Sequence, residues 1–418
     1  MPIADLVEQI VGTDLPVAFE AYDGSRSGPE HPPATIVVRS PDAIRRIVAA
    51  PGELGLGRAY VAGDLDVEGD VFAALELRKR LRTIHIAPPQ WRAAIELVGW
   101  NGLRPLPAPP EEARLHGRRH SRERDAAAIA HHYDVSNAFY RIVLGPSMTY
   151  SCAVWDSPDT TLEDAQAAKY ELICRKLGLR PGMRLLDVGC GWGGMAMHAA
   201  QHHGARAVGV TVSRRQAELA AKRVAEAGLA DRVEIRVQDY RDVRGEQFDA
   251  ISSIGMFEHV GLARLGAYFD RLFALLPPGG RLLNHAIGRP AKTRSRPPRS
   301  AGTRFSRRGF IDRYVFPDGE LHELGSVTSA LQRAGFEARH TESLREHYAL
   351  TLRAWVRNLE QSWDAAVAEA GEARARIWRL YMAGSAVNFE DGTIQVHQVL
   401  AVKPDVGASG MPLRPSFT

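Results

Sequence analysis

Cysteine is scarce in this chain: three in 418 residues, Cys152, Cys174 and Cys190, with no pairing pattern. That excludes a secreted disulfide scaffold and suits a reducing, cytoplasmic setting. Long apolar runs are missing as well, since none approaches the roughly 20 residues that span a bilayer. The opening stretch MPIADLVEQIVGTDLP has no basic region and carries acids inside its apolar part, so it does not read as a signal peptide. A soluble protein is expected. Acidic residues are absent from one place in particular, RPAKTRSRPPRSAGTRFSRR (Arg289–Arg308). Together with RLHGRRHSRER (Arg114–Arg124), this segment concentrates positive charge in a chain whose formal net charge is only +4. Such segments suit an anionic partner: nucleic acid, an acidic ligand or anionic lipid headgroups. Internal repeats are not visible.

What is present is an ordinary globular composition, 45% hydrophobic and 24% charged, on a chain long enough for two domains. Residues 1–103 read as a small α+β unit. ATIVVRS alternates like a strand, and SPDAIRRIVAA has a serine N-cap, a proline at the first helical position and an apolar stripe. GELGLGRAYVAGDLDVEGD (Gly52–Asp70) reads as a glycine-rich turn region before a helix from Val71. The stretch 104–124, rich in proline and arginine, reads as a linker. Residues 125–418 then form a second domain. Asp125–Val143 reads as helical. From Met183 strands and helices alternate: RLLDVG, GGMAMHAAQHH, ARAVGVTV, Ser213–Ala227, RVEIRV, FDAISSI, Leu265–Leu276 and RLLNHAI. FEARHTESL and IQVHQVLAVKP are two further strands around a helical segment, Tyr348–Ala370. The alternation implies a doubly wound, Rossmann-like α/β fold with a parallel sheet covered on both faces.

LLDVGCGWGG (Leu185–Gly194) ends a buried strand and opens a helix. Its glycines match G-x-G-x-x-G, a tight turn that brings a ligand against a helix N-terminus. Dinucleotide enzymes and methyltransferases share that pattern. A nicotinamide site usually places an acid near the end of the second strand. Here that strand ends in Thr211 and Ser213, with Gln216 one helical turn on. The third strand closes in QDYRD, where Asp239 and Tyr240 suit an adenine. This order of signals fits S-adenosylmethionine better than NAD.

Five segments in this order resemble the cyclopropane fatty-acid synthases and mycolic-acid methyltransferases: HHYDVSNAFYRIVLGPSMTYSCAVW (His131–Trp155), LLDVGCGWGG, SSIGMFEHVG (Ser252–Gly261), LNHAIG (Leu283–Gly288) and REHYALTLRAW (Arg345–Trp355). The resemblance spans about residues 125–402. The N-terminal α+β unit, with LGRAYVAGDLDVEGD, is similar to the accessory domain of the phospholipid-acting branch. The resemblance implies a class I S-adenosylmethionine-dependent methyltransferase that acts on the cis double bond of a phospholipid-bound acyl chain. It implies a bicarbonate ion as general base, held by Cys152, Glu258, His285, Tyr348 and the backbone at Ile254, with Tyr133 nearby. Cofactor contacts are implied at Tyr150, Ser151, Gly189, Gly191, Thr211, Gln216, Asp239 and Tyr240. The family often has tryptophan where Tyr240 aligns, and nothing carries over onto Arg289–Arg308.

An isolated alkene is a weak nucleophile, and its attack on a sulfonium methyl leaves a carbocation that water would trap. The site must be dry, apolar and still furnished with a base for the final proton. That explains a carboxylate, a histidine and a thiol in apolar company. Cys152 is expected to be a hydrogen-bonding neighbour rather than a covalent nucleophile. Proton loss from the new methyl carbon closes a cyclopropane; a hydride shift before that loss gives a 10-methylene chain, the product of the actinobacterial branch that the whole sequence resembles. His116, His120, His131 and His132 have no closed zinc spacing, so no metal is expected. Expected partners are the lipid substrate, the inner membrane face by peripheral contact, a reductase acting on the product and a second copy of the chain. Nucleic acid is not expected, because the place of an Asn/Asp-Pro-Pro-aromatic motif is taken by SIGMFEHVG. A non-catalytic lipid carrier would have no use for Glu258, His285 and Tyr348 together.

Overall fold

The computed structural model describes residues 1–81, 88–99, 104–113, 124, 135–291, 309–317 and 319–417. Tyr133, the four histidines at 116, 120, 131 and 132, and nearly all of both cationic segments lie outside the described residues, as does most of the expected helix Asp125–Val143. In chain order the helices are α1 Ile3–Val11, α2 Pro41–Ala49, α3 Glu53–Val61, α4 Val71–Leu81, α5 Pro88–Val98, α6 Asn137–Leu144, α7 Leu162–Leu177, α8 Gly194–His203, α9 Arg214–Glu226, α10 Leu265–Ala274, α11 Phe310–Tyr314, α12 Leu324–Arg333, α13 Arg345–Gln361, α14 Trp363–Ala370 and α15 Glu372–Glu390. The strands are β1 Ala18–Ala21, β2 Arg26–Ser27, β3 Ala34–Val38, β4 Leu65–Gly69, β5 Arg184–Val188, β6 Arg206–Thr211, β7 Val233–Val237, β8 Ala250–Ile254, β9 Arg281–Gly288, β10 Glu337–Ser343 and β11 Gln395–Val402.

The chain divides into two compact units. One gathers Met1–Leu115, Lys292–Pro317 and Leu359–Val387; the other holds His116–Ala291, Asp318–Asn358 and Asn388–Thr418. The first unit therefore also takes chain from beyond residue 125. Its sheet has the order β2-β1-β3-β4. Ser40 caps α2 by accepting from the Asp42 amide, with Pro41 at the first helical position. Gly52–Asp70 is not the turn region expected, because it contains α3 and β4. The glycines inside α3 serve close packing: a Cβ on Gly55 would fall 2.3 Å from the Ala50 carbonyl, and one on Gly57 would fall 2.4 Å from the Phe310 ring. Residues 104–113 are without helix or strand, yet Glu112 is buried and bonded to Arg58, Arg313 and Tyr314.

The second unit is built on a seven-stranded sheet of order β10-β11-β9-β8-β5-β6-β7. Strands β5 to β9 pair in parallel, while β11 runs antiparallel to both β9 and β10, so the sheet is mixed rather than wholly parallel. Apolar side chains of α10 and α12 cover one face, and those of α7 and α8 the other. The segment expected as one helix, Tyr348–Ala370, is two, α13 and α14, and α15 follows before the final strand. Thr161 caps α7 by accepting from the Asp164 amide, and Gly178 closes it with a left-handed φ of 65°. No helix among the described residues is long and apolar enough to cross a membrane.

Candidate active site

The carboxyl ends of the parallel strands open into a cavity of about 230 Å³, the place where open α/β sheets take their ligands. Its floor is the turn after β5. Gly189, Gly191 and Gly193 all have left-handed φ values, 76°, 54° and 82°, a conformation that other residues reach only with strain. A Cβ on Gly189 would also come within 2.9 Å of Met256. The Gly189 and Cys190 amides donate to the Val210 carbonyl, fixing the turn against β6.

All eight residues expected to meet the cofactor line this cavity: Tyr150, Ser151, Gly189, Gly191, Thr211, Gln216, Asp239 and Tyr240. Thr211 Oγ1 donates to Gln216 Oε1 at 3.0 Å, and Ser213 caps α9 at the Gln216 amide. Tyr240 stands edge-on to Tyr268, with ring centroids 5.2 Å apart. Asp239 is held by the Arg241 guanidinium, whose Nη2 lies 2.6 Å from Oδ2. Tyr150 stacks obliquely on Trp355 at 5.4 Å.

Of the five described residues expected around the anion, Cys152, Glu258, His285 and Tyr348 are buried, and Ile254 is half-buried. Ile254, at the end of β8, lines the cavity and lies in register with His285 on β9. The Gly255 amide donates to the His285 carbonyl at 2.9 Å. Glu258 is in a 3-10 turn after β8, where its Oε1 accepts from the Ile287 amide at 2.6 Å. Desolvation raises this carboxyl to about 7. His285 Nδ1 is 3.2 Å from Gln398 Nε2 on β11, and burial lowers the imidazole to about 3, so the ring is neutral. With the Gln398 amide donating to Nδ1, the ring proton belongs on Nε2. Glu258 Oε2 and His285 Nε2 are both buried and without a hydrogen-bond partner among the described residues. Cys152 is fully buried; its Sγ is 3.6 Å from the Leu344 carbonyl, which also accepts from the Tyr348 amide. Burial pushes the Cys152 thiol well up, so it remains protonated. The Tyr348 ring packs on Phe389 at 4.6 Å.

Three polar groups were not anticipated. Lys169, on α7, is fully buried, lines the cavity and donates to Ser151 Oγ at 3.0 Å. Burial lowers its ammonium to about 7, with the Asp187 carboxylate acting in the opposite direction. Asp187, on β5, accepts from Ser252 Oγ at 2.8 Å and is raised to about 6 by desolvation. Gln166 fixes the neighbouring backbone, donating to the Ser151 carbonyl at 3.0 Å. A signal existed in the sequence. The spacing Leu162, Ala165, Gln166, Lys169, Tyr170, Ile173 marks one buried stripe of α7, and a lysine on such a stripe needs a polar reason.

Comparison with known proteins places these features in context. The family model described as "Mycolic acid cyclopropane synthetase" matches residues 120–399. A Mycobacterium tuberculosis protein named "Probable fatty acid methyltransferase Rv3720" is 46% identical over 431 residues, covering 99% of this chain and 98% of its own. The Escherichia coli K12 "Cyclopropane-fatty-acyl-phospholipid synthase" is 34% identical over 369 residues, covering 88% of this chain and 87% of its own. The solved mycolic acid cyclopropane synthase CmaA1, complexed with SAH and CTAB, superposes with a TM-score of 0.62 at 36% identity, covering 66% of this chain and 98% of that one.

Proposed function

The chain belongs to the mycolic acid cyclopropane synthetase family, and we propose that it methylates the cis double bond of an unsaturated acyl chain carried on a phospholipid. It is an S-adenosylmethionine-dependent methyltransferase. The observation that carries the substrate proposal is the burial of two polar atoms, Glu258 Oε2 and His285 Nε2, each without a hydrogen-bond partner among the described residues. A dry enclosure suits a reaction that passes through a carbocation on the acyl chain. Most buried carboxyl and imidazole groups find a partner.

The two atoms fit a small oxyanion that carries a proton. A neutral His285 donates from Nε2, and Glu258 Oε2 accepts when the carboxyl is ionised. Bicarbonate fits that donor and acceptor set, with the Cys152 thiol and Tyr348 as further neighbours; when bound, it supplies the base for the final proton loss. Lys169 and Ser151 orient the cofactor side of the cavity. The protonated Cys152 thiol is a poor nucleophile and does not capture the cation.

For the product we favour the 10-methylene acyl chain, and the support is that the relative at 46% identity is named a methyltransferase rather than a cyclopropane synthase. Both products follow from one cation and one base. The deciding experiment incubates the protein with dioleoyl phosphatidylglycerol vesicles and methyl-deuterated S-adenosylmethionine, followed by mass spectrometry of the acyl chains. A gain of one CD2 unit establishes alkene methylation, and ozonolysis separates methylene from cyclopropane. An unlabelled acyl pool with cofactor binding intact would overturn the substrate proposal. Docking on the inner membrane face through the cationic segments is part of the same reading. Vesicle binding should weaken with added salt and in a triple Arg→Glu variant at Arg294, Arg296 and Arg299. Binding indifferent to both would remove that part.

A further inference from the structure

A second cluster of reactive side chains lies away from the anion zone, between α7 and α8. One ligand atom each from Cys174, His198 and His203 falls within 4.8 Å of the others. Glu171, one helical turn before Cys174 on α7, holds both imidazoles. Its Oε2 is 2.9 Å from His203 Nε2 and 3.5 Å from His198 Nε2. We propose that Cys174, His198 and His203 form a site for one zinc-class divalent transition-metal ion that ties α7 to α8, with Glu171 orienting the two imidazoles.

The dimensions suit that ion. With bonds of about 2.0–2.1 Å to nitrogen and oxygen, a tetrahedral zinc site places its N and O donors roughly 3.3 Å apart. The three protein donors, within 4.8 Å of one another, approach that spacing. The donor types are right too, because one thiolate and two imidazoles select zinc or cobalt over magnesium or calcium. The outer contacts are in place. Arg175 Nε holds Glu171 Oε1 at 2.8 Å, which turns Oε2 towards the histidines. The histidine side chains and Glu171 keep 12%, 18% and 32% exposure respectively for His198, His203 and Glu171, an entry path from solvent, while Cys174 closes the inner side. An ion pair between Glu171 and the histidines accounts for three of the four residues. It does not account for a thiol within 4.8 Å of both imidazoles.

The site has a place in the fold. The ring of His198 lies 5.6 Å from that of Tyr170, which lines the cofactor cavity and abuts Gly194 at the start of α8. An ion here braces the helix pair that delivers Lys169, Tyr170 and Gly194 to the cofactor.

The test uses the full chain, stripped with chelator and titrated with cobalt(II), then zinc(II). The expected result is one equivalent bound, a thiolate-to-cobalt charge-transfer band that zinc(II) bleaches, and a raised Tm. Cys174→Ser should abolish the band. His203→Gln should weaken cobalt affinity by more than about tenfold, with binding of S-adenosylhomocysteine retained as evidence of the fold. Absence of saturable cobalt binding overturns the proposal, as does a band that persists in Cys174→Ser, because that places the thiolate at Cys152 or Cys190. Should Cys174→Ser not fold, unchanged cobalt affinity in His203→Gln overturns it.

Discussion

The Glu258 carboxyl, raised by burial to about 7 from its ordinary 4.5, divides between two protonation states near neutrality. Its folded-state value lies above its unfolded one. The stability it contributes is therefore full below about 4.5 and lost as pH rises through about 7. Activity should run the other way, because only the ionised form accepts a proton at Oε2. Glu258→Gln should cost at least about 100-fold in turnover while leaving Tm at pH 8 equal to or above that of the native chain. Calorimetry beside an activity assay checks both, and a variant destabilised at pH 8 would reduce Glu258 to a structural acid. Lys169 makes a second test at this scale. Lys169→Met removes a charge-assisted hydrogen bond to Ser151 and should weaken S-adenosylhomocysteine binding by about tenfold, read by titration calorimetry. Unchanged affinity would remove Lys169 from the cofactor site. The glycines of the turn were legible because backbone geometry dictates them. Lys169 was not, since nothing in a lone lysine codon says that its helix turns it inward; only the stripe it shares with Ala165, Gln166 and Ile173 does.

At the scale of elements, the turn between β5 and α8 is where packing leaves least room. A methyl on Gly194 would stand 2.3 Å from Tyr170 Oη, a hydroxyl paired at 2.8 Å with Thr149 Oγ1. Gly194→Ala should therefore cost about 1–3 kcal/mol of stability and lower cofactor affinity in the same step, checked by urea unfolding and calorimetric titration. A neutral effect would mean that Tyr170 is free to move aside. The alternation of strands and helices from β5 to β9 could be read directly, because buried parallel strands are continuous apolar runs. The direction of β11 could not, since an apolar strand has the same composition whichever way it runs. The helix α3 was misread for a related reason: glycine signals both turns and close approach, and the Phe310 ring that Gly57 accommodates lies 253 positions further along the chain.

At the scale of the molecule, the first unit depends on residues far from the N-terminus. Arg379, on α15, donates to Tyr60 Oη, to the Val67 and Gly69 carbonyls and to Glu360. Arg376 beside it forks onto Asp66. Arg379→Met strips partners from several buried groups at once and should destabilise the first unit by about 3 kcal/mol. Denaturant unfolding followed by the tryptophan signal reads the loss, and a shift within error would show that α15 is only loosely attached. This interleaving was not legible in the sequence, where a proline-rich stretch suggested a simple cut. Proline reports a local break in regular structure and says nothing about what returns to pack there.

One consequence concerns birth rather than function. Because α11 and Leu359–Val387 belong to the first unit, its packing is complete only after the ribosome has read most of the message. The strands β1 to β4 must wait, half-finished, until nearly the whole polypeptide has emerged. A chain of this design finishes its beginning last.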